Sequence, residues 1–257
     1  MGQENKKPDN PSSAMSLGEH LEELRWRLIL SIAGVIIAMI ACLFFGSVII
    51  SFIEKPYIEV MGEDARLQTL SPAEGFVCYM NISLVAGLVV ASPWVFYQLW
   101  MFIAAGLYPK EKKYVYVALP VSVTLFVVGA LLFIFYIAPV TLKFLVMFNR
   151  EFLTVSSSFT FKNYISFMSL MMLAFGLAFQ TPIVVFVLTG TGLVPIDVFR
   201  KFRKYVILGI VVIAAAVIPG SDPISLFALS IPMYLLYELG IFFGAMSFKK
   251  KKSRMDQ

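Results

Sequence analysis

The sequence predicts an all-α polytopic membrane protein of six helices, the last two short. Three observations carry that prediction. Of 257 residues, 59% are hydrophobic and 14% charged, against roughly 45–50% and ~25% in a soluble domain. Several apolar runs reach the ~20 residues that cross a hydrocarbon core of about 30 Å. The cationic residues are concentrated on alternate connections, the pattern that orients a multispanning chain.

Residues 1–15 are polar and carry Pro, Asn and Ser, and are expected to be a disordered tail. Ser16 followed by Glu19 has the spacing of a capping box. Leu17, Leu21, Leu24 and Leu28 then share one helical face. That helix enters a first span over about 28–52. The polar lead and the length of this run separate it from a cleavable signal, whose apolar core is ~7–15 residues. Residues 53–74, with Pro56 and Gly62, read as a loop. A second span covers about 76–104, and AAGLYPKEKK (104–113) makes a turn punctuated by Gly106 and Pro109. A third span covers about 114–138. Residues 138–162 form a second long loop with room for a short surface helix, and a fourth span runs over about 163–188.

The last two runs differ from the others. Tyr205–Ile218 is 14 residues long, and Ile224–Phe243 is interrupted by Pro232. A run of ~14 fits a shallow helix, a thinned bilayer or a re-entrant hairpin. No internal repeat is visible, which argues against an inverted-repeat transporter. The organisation is a tail over 1–15, a membrane domain over 16–245 and a basic tail over 246–257.

Sixteen of the 21 lysines and arginines fall in the N-terminal tail and first helix turns, the 2–3 turn, the 4–5 connection and the C-terminal tail. Only Lys55, Arg66, Lys143, Arg150 and Lys162 lie on the other side. Both termini are therefore expected in the cytoplasm. The Lys249–Lys252 run reads as a topology anchor facing anionic lipid, and no nucleic-acid partner is implied. Cys42 and Cys78 lack metal or CxxC spacing and read as small buried apolar residues.

No catalytic set is legible. The single histidine, His20, builds no metal site alone, and no nucleotide loop, HExxH or Ser/His/Asp group appears. No cofactor is implied. Polar groups in or near the bilayer are the remaining candidates. Glu111 either offsets Lys110, Lys112 and Lys113 or acts at a cytoplasmic mouth. Gln180, beside Thr181 and Pro182, either bonds a neighbouring helix or lines a site. Asp222 in SDP either caps the last helix or serves a partner, and Glu238 is either an interfacial charge or functional.

A dense charged run, SLGEHLEELRWRL, occupies residues 16–28 directly before the first span. Glu23 with Arg27 and Glu22 with Arg25 have i,i+4 and i,i+3 spacing, which stabilises an exposed helix by about 0.2–0.5 kcal/mol per pair. Helix stability alone does not explain acid at a cytoplasmic edge beside anionic lipid, where basic residues cost least.

HLEELRWRL (20–28) resembles the N-terminal signature of the TatC family, the multispanning receptor subunit of twin-arginine protein export. SPWVFYQLWMFIAAGLYPKEKKY (92–114), AFGLAFQTPIVV (174–185) and IPMYLLYELGIFF (231–243) resemble its later signatures in order, so the likeness spans about 16–245. Two departures are Ala105, where the family often has proline, and the neutral Gln180, where some members carry glutamate.

The resemblance implies a concave, cup-like bundle and a non-enzymatic receptor driven by the proton-motive force in a bacterial cytoplasmic membrane. It implies that Glu23 and Glu111 contact the paired arginines of the export signal, with Arg25 and Arg27 holding the acids, Glu22 in the same run and Phe102 beside the site. Arginine pairs with carboxylate through a planar fork that lysine cannot reproduce. It further implies small single-span TatA/TatB-type partners docking around Val206, Ile210, Asp222 and the sixth helix, an oligomeric complex, and a family proline at Pro56 in the first outer loop. Two rivals remain: a small-solute transporter using Gln180, Asp222 and Glu238, and a membrane-embedded enzyme.

Overall fold

The computed structural model describes residues 17–62, 65–107, 112–152, 159–217 and 223–255. The chain order is α1 (Leu17–Phe44), α2 (Gly46–Met61), α3 (Glu74–Ala105), α4 (Lys112–Leu132), a π-turn (Phe133–Ile137), α5 (Ala138–Phe152), α6 (Phe161–Ala178), α7 (Thr181–Thr191), α8 (Ile196–Lys201), α9 (Arg203–Val217) and α10 (Pro223–Met255). Among the described residues, four stretches are long and apolar enough to cross a membrane: Gly18–Phe44, Glu74–Ala105, Lys112–Glu151 and Phe161–Thr191. The 15 residues of α9 cover only about 22 Å at ~1.5 Å each.

α1 and α3 pack antiparallel, and glycines set their closeness. A Cβ on Gly87 would lie 2.7 Å from the Met39 backbone, and one on Gly34 would lie 2.4 Å from the Trp94 ring. The Trp94 indole N–H donates to the Leu30 carbonyl at 3.0 Å. α1 stops at Phe44, where the Tyr79 hydroxyl donates to the Leu43 carbonyl, one of the acceptors a helix end leaves open.

Two expected loops are helical in their first parts, to Met61 and to Phe152. Pro56 does not lie in a loop but is buried inside α2. Ile49, Ile53, Tyr57 and Val60 recur at helical spacing and pack against the core, while Lys55 and Glu59 occupy the exposed face. The polar residues of that face made the segment look like a loop. Beyond Leu132 the expected third span does not end but continues through the π-turn into α5. Ala138 and Leu142 are buried there in the same core as Ile53 and Tyr57 of α2. Both outer connections are joined by an isolated parallel bridge between Gln68 and Thr160, with Phe161 N–H donating to Gln68 O at 2.8 Å.

The fourth span is divided at Phe179–Gln180. Pro182 cannot donate to the Ala178 carbonyl four residues back, and the Thr181 hydroxyl donates to that carbonyl instead, at 2.7 Å. Pro232 does not interrupt the sixth run, because α10 passes through it to Met255. Leu229, Leu236, Tyr237 and Ile241, buried along one stripe, hold that helix against the bundle. The residues expected as a C-terminal tail from 246 onward begin as a continuation of α10.

Candidate functional site

The first turns of α1 and the last turns of α3 meet at one end of the bundle. The His20 ring stacks on Phe102 with centroids 4.4 Å apart and planes inclined by 19°. A Cβ on Gly106, just past the end of α3, would sit 3.4 Å from His20 Cε1. His20 Nδ1 is buried and has no hydrogen-bond partner among the described residues. This aromatic contact fixes the charged run of α1 beside the connection that follows α3.

Three residues form the polar heart of the site. Arg27 donates from Nε to Glu23 Oε1 at 2.6 Å, and its NH2 lies 2.5 Å from the same oxygen. Its NH1 donates to Gln98 Oε1 at 3.1 Å. The Glu23 and Arg27 side chains are 28% and 20% exposed, so the pair is shielded without being sealed off. Glu22 and Arg25 are exposed, and no ion pair joins them among the described residues. Their i,i+3 spacing is real, but both side chains stand in the open, where a pair gains little. Of the residues the sequence singles out, Glu23, Arg27 and Phe102 come together at this corner, and the structure adds Gln98 to them. Its signal was present: an amide inside the apolar run FYQLW must find a partner once buried.

The other candidates are distributed elsewhere. Gln180 sits at the α6–α7 break, where its Nε2 donates to the Ser122 carbonyl at 3.0 Å. The Trp100 indole donates to Ser122 Oγ at 2.9 Å, joining α3 to the same point. Glu238 accepts from Arg203 at 2.8 Å and from the Tyr234 hydroxyl at 2.9 Å, tying α9 to α10. Ile210 is buried and Val206 half-buried against the body, which leaves Tyr205, Leu208 and Val212 on the outward face of α9. Glu111 and Asp222 lie outside the described residues.

No group of histidine, cysteine and carboxylate side chains among the described residues is arranged to hold a metal ion. Cys42 and Cys78 are free and buried. What the α1–α3 corner can do is accept hydrogen bonds from a cation. Glu23 presents a half-shielded carboxylate with one oxygen committed to Arg27 and, among the described residues, no hydrogen bond to the other.

Comparison with known proteins identifies the fold. Residues 19–232 match the family model described as Sec-independent protein translocase protein (TatC). The chain belongs to the TatC family. It is 38% identical over 238 residues to the Sec-independent protein translocase protein TatC of Aquifex aeolicus, covering 93% of this chain and 98% of that one. It is 36% identical to the TatC of Desulforapulum autotrophicum, covering 91% and 85%. A crystal structure of the twin arginine translocase receptor TatC superposes with a TM-score of 0.79 at 36% identity, covering 89% of this chain and 99% of that one. The same receptor solved in DDM gives 0.80 at 37% identity. As a TatC-family member the chain is a non-enzymatic membrane component of a protein translocase.

Proposed function

We propose that this chain is the receptor and core subunit of a twin-arginine translocase, and that the α1–α3 corner receives the paired arginines of an export signal. The observation that carries the proposal is the state of Glu23: a carboxylate held at the start of a span, partly exposed, with an oxygen to offer. A guanidinium meets such a group through charge-assisted hydrogen bonds. Glu111, nine residues after Phe102 in sequence, supplies the second carboxylate on the strength of the family signature. Phe102 and His20 form the wall beside them.

The chain crosses a bacterial cytoplasmic membrane six times, with α9 and the α10 run Leu229–Ala245 as the short last crossings and both termini in the cytoplasm. Placing 16 of 21 cationic side chains inside supports that orientation. Small single-span partners dock on α9 and α10, where Tyr205, Leu208 and Val212 offer an apolar surface. Transport draws on the proton-motive force. The small-solute alternative is weakened at its midplane, because Gln180 commits its amide to the Ser122 carbonyl.

The test is binding of a fluorescent signal peptide to the detergent-purified chain, Arg-Arg against Lys-Lys. The Arg-Arg peptide is expected to bind about tenfold tighter or more, the scale of one to two charge-assisted hydrogen bonds. Glu23→Ala and Glu111→Ala are each expected to abolish that preference. Equal binding of both peptides overturns the proposal.

A further inference from the structure

The Arg27 fork meets Glu23 in an unusual way. A guanidinium facing a carboxylate ordinarily forms two parallel bonds, one to each oxygen. Here Nε donates to Oε1 at 2.6 Å and NH2 lies 2.5 Å from that same oxygen, with no hydrogen bond from Arg27 to Oε2 among the described residues. The third corner of the guanidinium, NH1, is held from the opposite side by Gln98 Oε1 at 3.1 Å. Gln98 is 3% exposed and sits on the rigid α3, between Tyr97 and Leu99. We propose that Gln98 is a positioning residue for the recognition carboxylate. By anchoring Arg27 NH1 it prevents the guanidinium from sliding to cover both oxygens of Glu23, and so keeps Oε2 available to an incoming guanidinium.

The physical argument is one of competition. Arg27 is covalently one helical turn from Glu23, so its effective concentration at that carboxylate far exceeds that of any ligand. Left free, it would settle into the bidentate pair and neutralise the acid internally. A buried amide oxygen is a strong competitor for one guanidinium corner, because leaving it unpaired forfeits its hydration with nothing in return. The anchor thus holds Arg27 in a geometry that fixes the Glu23 side chain without occupying it. A receptor for cations needs this arrangement, since a fully paired carboxylate offers a ligand nothing it does not already have.

This inference rests on the proposed role of Glu23, and the experiment separates the two. Arg-Arg and Lys-Lys signal peptides are titrated against the detergent-purified full chain, wild type and Gln98→Leu, and against both in a Glu23→Gln background. Gln98→Leu is expected to lower Arg-Arg affinity about tenfold, the size of a lost charge-assisted hydrogen bond, and to reduce the preference over Lys-Lys. In the Glu23→Gln background the same change is expected to have under about twofold effect, because residues acting as one unit are non-additive. An equal loss in both backgrounds assigns Gln98 a purely structural role and overturns the inference. A second readout needs no peptide. In 15N-arginine-labelled protein the Arg27 side-chain N–H exchange with water is expected to speed up in Gln98→Leu and to return toward wild type in Gln98→Glu. Unchanged exchange overturns the inference even where the peptide preference stands. A wild type that ignores the difference between peptides but shows the exchange effect sinks the receptor reading and leaves the anchor standing.

Discussion

α1 and the α6–α7 segment are both apolar enough to cross a membrane, yet they occupy opposite situations. Only 6% of the apolar stretch of α1 is buried within the protein, against 56% for Phe161–Thr191. α6 carries Ile165, Met171 and Phe175, all fully enclosed, and touches α3 and α4 as well as the π-turn. α1 presents Ile32, Ile36, Ile37 and Ile40 outward and is held chiefly by α3. On the proposed reading of the α1–α3 corner, the difference separates scaffold from sensor. The central segment fixes the bundle, whereas α1, which bears Glu23 and Arg27, hangs on it along one seam. Lipid tails are as apolar as leucine, so that seam depends on close packing and hydrogen bonds rather than on exclusion of water.

The largest effect is expected from breaking the scaffold. Phe175 is fully buried, its ring 5.3 Å from Phe133, and it meets Gly129 through its backbone. Phe175→Ala opens a void of roughly 100 Å³, which at ~24 cal/mol per Å³ costs about 2 kcal/mol. The hydrophobic transfer term adds little where the alternative surroundings are lipid. Thermal unfolding in detergent, followed by circular dichroism, is expected to shift down by several degrees, with signal-peptide binding retained below the transition. A variant that melts like wild type but fails to bind would make the central segment part of the site.

The next effect, smaller in stability and larger in function, comes from opening the seam. A Cβ at Gly87 meets the Met39 backbone at 2.7 Å, which cannot swing aside as a side chain could. Gly87→Ala therefore pushes α1 off α3, and because α1 can yield outward into lipid the cost is about 1 kcal/mol, the low end for overpacking. The shift separates Arg27 from Gln98 and His20 from Phe102. Peptide binding is expected to fall by at least the tenfold of a lost charge-assisted bond, while the melting temperature drops less than for Phe175→Ala. Unchanged binding would show that the seam does not transmit to the site.

The same contrast explains what could be read from the sequence. Hydropathy marked the apolar runs, and the i,i+4 rule marked Glu23 with Arg27, because both depend only on neighbours along the chain. The break at Phe45, where Gly46 admits the Tyr79 ring, depends on a residue 33 positions away and left no local trace. α2 was hidden because its exposed Lys55 and Glu59 resemble a loop when the buried Ile53 and Tyr57 are not set against a core. Gln98 stood out as an amide in an apolar run, but its partner did not, because Arg27 lies 71 residues earlier.

The smallest effect is at the end of the bundle remote from Glu23. There a cavity of about 430 Å³ is lined by Glu54, Tyr57, Arg66, Thr69 and Phe161, between the two bridged outer connections. Burial raises the Glu54 carboxyl above its ordinary value of 4.5. The group is half-buried and borders an open cavity, so the consequence is modest. Between the ordinary value and the raised one, the folded protein binds more protons at Glu54 than the unfolded chain does. Stability therefore falls as pH rises through that window, and above it the buried charge remains a burden. Glu54→Gln removes the titration, and is expected to melt slightly higher than wild type near neutral pH and to show a flatter stability profile from about pH 4 upward. Peptide binding at the α1–α3 corner is expected to stay unchanged, since Glu54 belongs to α2 and to the opposite end. Melting curves collected across that pH range decide the matter. Parallel profiles for the two proteins would mean that the Glu54 carboxylate is as well accommodated folded as unfolded, and a loss of binding in Glu54→Gln would mean that the two ends are coupled through α1.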